Sequence, residues 1–409
     1  MRLGQRVRAV IGLALLAGGC IQAWAAGPAD HTAPLNLDPL VRQGYERFYN
    51  LDYDGALRIF TQVSQQHPQD PMAWEYLQVT TVMRELYRQD LLDTTYYAHD
   101  SFLANKRDIP VTAETRQRIE DLTNKVIGMC DEALKTNPND KNAYFARGFA
   151  KGMHASFITL ADHAYAGAAR QGLSARNDSE SALKIDPQYA DAKMAVGIQQ
   201  FAVASLPRWV RLIVGMMGVG GSKEKGLQML RDAAAHGVVT SVEARTTLSL
   251  FLRHDGRYTE ALEVEHGLSE QYPHDYLFRL EVANLLKDEG HGVEAMEEYK
   301  RVIADAQKPG YFIEARLQMA WFGLGDTQKG YNQIPEAANS FLQAASQPNC
   351  SDWLRKRAQL YAGESYDLLH NRAEAVRMYQ LAAAPGGDQS QAEMAKRDRK
   401  STRLNSVTR

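Results

Sequence analysis

Glu260-Ala261-Leu262 and Glu294-Ala295-Met296 are one phrase written twice, with 34 residues between the two alanines. The phrase is a small or acidic residue, then Ala, then an apolar residue. It returns as Gly55-Ala56-Leu57, Glu336-Ala337-Ala338 and Glu374-Ala375-Val376. Self-similarity at this period is the mark of stacked helix hairpins, in which each unit buries its apolar face only against its neighbours. The length of 409 residues therefore sets no domain count, because such a core grows in one dimension.

Outward from the phrase, each copy carries the same helical face. Ala375, Tyr379 and Ala382 recur at spacings of four and three, as do Ala295, Tyr299 and Val302, then Ala337, Phe341 and Ala344, and near the N-terminus Ala56, Phe60 and Val63. That spacing keeps them on one side of a helix. The small residues, with Gly363 on the preceding helix, allow close approach of paired helices, and the aromatic ring fills the space beyond. Ala56, Ala261, Ala295, Ala337 and Ala375 are thus expected to be packing residues. Pro68, Pro138, Pro187 and Pro273 stand where one unit ends and the next begins, since Pro cannot continue a helix.

This pattern resembles the tetratricopeptide repeat over most of residues 37–384. The resemblance implies an all-α fold, a right-handed superhelix of helix hairpins with a concave groove. Three stretches leave the 34-residue register. Residues 71–136 read as an elongated hairpin, with no strong breaker between Pro71 and about Asn105 and one helix over 112–136. Residues 142–185 begin with what reads as one long helix to about Gln171. Residues 205–221 form an apolar insertion in which Trp209, Leu212, Ile213 and Met216 share a helical face flanked by Arg208 and Arg211; Ser222 then caps a new helix. The block from Tyr189-Ala190-Asp191-Ala192 to Gly221-Ser222-Lys223-Glu224 resembles a segment of exported bacterial tetratricopeptide proteins, and more distantly an outer-membrane-associated eukaryotic family from which no activity is carried over.

Both ends stand apart from the repeats. Arg2, Arg6 and Arg8 precede an apolar run from Ala9 to Ile21, and Ala23-Trp24-Ala25 follows as a small-x-small cleavage site. This three-part layout over residues 1–25 reads as a secretory signal peptide, with 26–36 a linker. It points to export and a periplasmic or other extracytoplasmic location. Ala17-Gly18-Gly19-Cys20 also resembles a lipoprotein box, so anchoring through a lipidated Cys20 is the alternative. Residues 386–409 read as a disordered tail, and 398–409 resemble translated adapter sequence rather than part of the fold. Between these ends, residues 26–397 hold 40 basic and 48 acidic residues, a balance that argues against nucleic acid as a main partner. Cys130 and Cys350 lie in distant repeats and are expected to stay unpaired, with Cys130 an inert core thiol.

Few residues fall into a recognisable catalytic or ligand-binding pattern. No His-Glu-x-x-His or Cys-x-x-Cys occurs; His154 and His163 are nine residues apart, and His154 reads as a satisfied interior or groove histidine. Gly221-Ser222-Lys223 inverts the Lys-Ser order that a phosphate loop needs. No cofactor and no catalytic residue is expected. In the resembled family the first helix of each repeat lines the groove, which places Phe145, Phe149 and Met153 of one repeat and Leu280, Asn284 and Lys287 of another on a candidate partner-binding face. Position five of these helices is Phe145, Thr246, Leu280 or Leu360, with no Lys to clamp a terminal carboxylate. The resulting expectation is a non-enzymatic exported scaffold that binds a protein or peptide. Its alternatives are peripheral membrane association through residues 205–219, and an enzyme whose site is not recognisable in the sequence.

Overall fold

The computed structural model describes residues 28–94, 109–206, 211 and 220–400. These residues form an all-α solenoid of helix hairpins. In chain order the helices are α1 (Pro39–Phe48), α2 (Tyr53–Gln66), α3 (Pro71–Arg88), α4 (Ala113–Thr136), α5 (Lys141–Leu160), α6 (Tyr165–Ile185), α7 (Ala190–Ser205) and α8 (Lys223–His236). They continue as α9 (Ser241–His254), α10 (Tyr258–Gln271), α11 (Tyr276–Glu289), α12 (Gly292–Asp305), α13 (Gln318–Gly330), α14 (Ile334–Ser346), α15 (Asp352–Leu368), α16 (Arg372–Ala382) and α17 (Gln389–Lys400). Each helix packs on the next, and first helices of successive hairpins also touch: α3, α5, α7 and α9 in one run, α11, α13, α15 and α17 in another.

Local sequence accounts for the boundaries. Helices α2, α4, α6 and α10 each end two positions before a proline, Pro68, Pro138, Pro187 and Pro273 respectively. In three of these turns the Pro is followed two places on by Asp, and that Asp caps the next helix. Asp70 accepts from Met72 N at 2.9 Å, Asp140 from Asn142 N and Ala143 N at 3.0 Å each, and Asp275 from Leu277 N at 2.9 Å. Each cap satisfies backbone donors that the first turn leaves free.

The five alanines of the repeated phrase are fully buried, as are Phe60, Phe341 and, at 1 % exposure, Tyr299 and Tyr379. Their packing depends on glycine across the hairpin. A Cβ at Gly363 on α15 would lie 2.6 Å from the Tyr379 ring on α16. At the α7–α8 crossing Gly197 and Gly226 meet backbone to backbone, where a Cβ on Gly226 would sit 2.7 Å from the Gly197 carbonyl.

Four expectations are corrected. The first arm of the elongated hairpin expected over 71–136 is interrupted: its helix stops at Arg88, and Asp90 turns the chain with φ 57°, while residues 95–108 lie outside the described residues. The reason is tertiary, because the Asp90 carboxylate is held by side chains from far along the chain. Residues 142–185 are an ordinary hairpin, α5 and α6, broken by a tight turn with His163 at φ 52°. No Gly or Pro marks that turn, which is why the pattern looked continuous. The segment after 386 is not a disordered tail over its first part: α17 packs on α16 and α15, with Ala395 fully buried. Part of the 26–36 linker forms short 3-10 turns, Pro28–His31 and Pro34–Leu37, with Ala33 and Leu35 buried. Residues 1–25, Cys20 and the segment 401–409 lie outside the described residues.

Candidate functional site

The concave face is not an open groove, because the N-terminal hairpins cross it. Helix α3 delivers residues 89–94 onto later repeats. Asp90, fully buried, accepts from Arg316 Nε at 2.6 Å and Gln318 Nε2 at 2.8 Å on one oxygen, and from the Ser351 backbone N–H at 2.8 Å on the other. Trp353 Nε1 donates to the Gln89 carbonyl at 2.8 Å. The Tyr276 hydroxyl donates to that of Tyr87 at 3.1 Å, and Arg316 lies over the Tyr87 ring at 5.7 Å. Closer to the N-terminus, the Tyr49 hydroxyl on α1 donates to Glu243 on α9 at 2.8 Å, and the Tyr49 ring packs on Tyr272 at 5.2 Å.

Between these elements lies a partly open cavity of about 310 Å³. Its apolar wall comes from α1 and α3 (Phe48, Met83, Leu86), from α5 and α7 (Met153, Leu160, Met194, Ile198) and from α11 (Leu277, Phe278, Leu280). Five carboxyl side chains reach it: Asp93, Glu243, Glu265, Asp275 and Glu281. Among the described residues that line it there is no Lys, Arg or His. Arg253, almost fully buried behind the wall, pairs with Glu281 at 2.9 Å and Asp288 at 2.7 Å. Glu265 is only 1 % exposed, and neither of its carboxyl oxygens makes a hydrogen bond of ordinary geometry; the Ser249 hydroxyl beside it is near enough to pull its pKa down, against the larger effect of burial. Burial raises Glu265 well above the ordinary carboxylate range, with Glu281 adding to the effect. Burial also lifts Glu243 to about 7, against the opposing pull of hydrogen bonds including that from Tyr49.

The six proposed groove residues separate in this geometry. Met153, Leu280 and Asn284 line the cavity. Asn284 is itself buried and hydrogen-bonds with Glu281, at 3.3 Å. Phe145 and Phe149 do not line an open face: they are 3 % and 6 % exposed and stack on each other, and Phe145 packs against Tyr189 in the core. Lys287 is on the outside of the cavity, paired with Asp326 at 3.0 Å. Trp209, Leu212, Ile213 and Met216 lie outside the described residues. Glu243, Glu265 and the Asp90–Arg316 pair were not anticipated. Glu265 had a signal: an acidic residue four places beyond Ala261, on the face that repeats as buried Tyr299 and Tyr379 in other units.

Among the described residues no group of three or more His, Cys, Asp or Glu is arranged to hold a metal, and no helix is long and apolar enough to cross a membrane. His154 is half-buried; its Nδ1 lacks a partner, and burial lowers its pKa, so it is not the satisfied histidine expected. Cys130 and Cys350 are unpaired and buried, each with its thiol pushed up to about 12. Ser222 caps α8, accepting from Lys225 N at 3.4 Å.

The fold is a solenoid of the tetratricopeptide-repeat type, closed across its concave side. No family model matches the chain, and no curated protein matches it. Among solved structures, yeast Tom70 is similar at 11% identity, covering 88% of this chain and 94% of that one, with a TM-score of 0.42. PilW, a type IV pilus biogenesis factor, is similar at 18% identity over 61% of this chain and 98% of its own, with a TM-score of 0.41. A tetratricopeptide repeat protein from Parabacteroides merdae shows 14% identity over 80% of this chain and 99% of its own, with a TM-score of 0.35. The repeat architecture of the present chain rests on its own helices and their packing.

Proposed function

We propose that the protein is a non-enzymatic scaffold that holds a protein or peptide partner, and that it works in the bacterial envelope after export. The observation that carries the scaffold reading is the pre-ordered stack itself. Among the described residues, eight hairpins and a closing helix pack each on the next and are tied across the stack as well, and a stiff surface of this kind loses little conformational freedom on binding. The export reading is supported by the basic, apolar and small-residue order of residues 1–25. The buried Phe145 and Phe149 cannot serve as the contact face. The open candidate is the shallow groove between α1, α2 and the segment after α12, where Ile313 is 55 % exposed and Arg47, His274 and Tyr311 line the same depression.

A photo-crosslinking amino acid placed at position 313 or position 280 of the full chain in living bacterial cells tests this, combined with fractionation. The expected result is a chain recovered outside the cytoplasm, with a discrete adduct from position 313 and none from the buried position 280. Retention in the cytoplasm would sink the export reading. Equal labelling from both positions, or from neither, would sink the partner surface.

A further inference from the structure

We propose that the cavity behind the closed groove is a binding site for a small amphiphilic cation, with its apolar body against Met153, Leu277 and Leu280 and its charged head on Glu265. The inference stands apart from the scaffold reading, since it concerns the interior and not the outer surface. It begins from size. A volume of about 310 Å³ falls at the lower end of ordinary small-ligand pockets, which run from about 300 to 1,000 Å³. The wall is mostly aliphatic and aromatic, with a few convergent polar groups, the usual composition of a ligand site.

The sign of the ligand follows from the polar groups. Carboxyls come from the 89–94 segment, α9, α10 and α11, and among the described residues no basic side chain lines the space to answer them. Most are already engaged. Glu243 takes the Tyr49 hydroxyl, Glu281 takes Arg253, and Asp275 caps α11. Glu265 is the exception, buried with neither oxygen in a well-formed hydrogen bond and the Ser249 hydroxyl close by. A buried carboxyl in that state either stays neutral or needs a cation beside it. An ammonium head would supply donors to both oxygens, and the Tyr49 and Tyr53 rings in the same wall offer faces that attract cations. An anionic amphiphile would face five carboxyls, and a neutral one would bring no charge to Glu265.

Isothermal titration of the full chain with octylammonium, 1-octanol and octanoate at neutral pH distinguishes these cases. Octylammonium is expected to bind at one equivalent and at least tenfold more tightly than octanol, with no saturable heat from octanoate. Glu265→Gln, close in shape and uncharged, is expected to remove the tenfold preference and leave octanol binding unchanged. Thr247→Phe, which fills part of the space, is expected to weaken both ligands. Octanol binding as tightly as octylammonium would show an apolar void with no charge selection and overturn the proposal. So would a Gln variant that keeps the preference, or the absence of saturable octylammonium binding in the wild type.

Discussion

Asp90 is a single residue on which the closure of the groove depends. It sits in the left-handed region at φ 57°, which Asp tolerates better than most side chains, and its two oxygens collect three donors from the 316–351 region. Removing it leaves the Arg316 guanidinium buried without its carboxylate. Asp90→Ala is expected to cost about 3–5 kcal/mol in urea unfolding, the range for breaking one half of a buried ion pair. Asp90→Asn, which keeps the shape and two acceptor sites on one oxygen, should cost less. Ala295 is a different kind of residue, fully buried on α12, which packs on both α11 and α13. Ala295→Leu is expected to cost about 1–3 kcal/mol through overpacking; an unchanged midpoint would mean that α12 does not pack where it is placed. Glu243 carries a pH signature. Its folded pKa of about 7 lies above its ordinary value of 4.5, so the folded state binds the proton more tightly than the unfolded chain. Its contribution is therefore present below the unfolded value and is lost as pH rises from about 4.5 through about 7. The groups facing it are Tyr49 from α1, Asp191 from α7 and Arg245 on its own helix. Stability of the wild type measured by urea melts should fall over that window relative to Glu243→Gln, and parallel curves would refute the assignment.

At the scale of the element, most helices are legible because their ends carry local chemistry. Pro followed two places on by Asp stops one helix and caps the next in three turns, and the Asp caps are worth about 1 kcal/mol each. The elements misread in the sequence are those whose ends are set by contacts elsewhere. Helix α3 ends where Asp90 and Gln89 are taken up by α13 and α15, and no breaker in residues 89–94 announces it. Helix α17 is similar. Its composition is polar and basic, yet Ala392 and Ala395 are buried against the last hairpin, and the Lys356 ammonium on α15 ties down the preceding turn by donating to the Ala384 and Gly386 carbonyls at 2.9 and 2.8 Å. The helix covers fully buried Leu360, Ala375 and Ala382. Truncation after Pro385 is expected to lower stability by about 2 kcal/mol, the order of exposing one large apolar side chain. No change in the thermal midpoint would show that α17 is not the closing helix of the stack.

The whole molecule is more than a row of repeats, because its first hairpins contact its last ones. A simple solenoid has only neighbour contacts, so its stability is local and its ends fray independently. Here residues 49 and 243, 87 and 276, 90 and 316, and 89 and 353 are bonded across the concave side. Hydrogen exchange should register this closure. In the wild type the amides of α1–α3 and of α13–α15 are expected to open together, and in Asp90→Ala the N-terminal hairpins should exchange faster while α7 and α8 keep their protection. Independent opening in the wild type would mean that the closure carries little energy. The cavity belongs to this scale as well, since its wall draws on α1, α3, α5, α7, α9, α10 and α11 at once.

The repeated Ala phrase, the four-and-three spacing and the proline turns were sufficient to determine the all-α hairpin stack, because these are contacts within a unit or between adjacent units and leave a mark at short range in the chain. They also showed which residues pack: the alanines and the aromatic one turn beyond them. What fills the concave side was decided only by tertiary structure. An Asp in a polar stretch after α3, a Glu on α10 and a Tyr at the end of α1 have no shared spacing; superhelical curvature brings them together across up to two hundred residues or more of chain. The same curvature turned a face expected to be an open groove into a closed interior, with Phe145 and Phe149 in the core and Met153, Leu280 and Asn284 around a cavity.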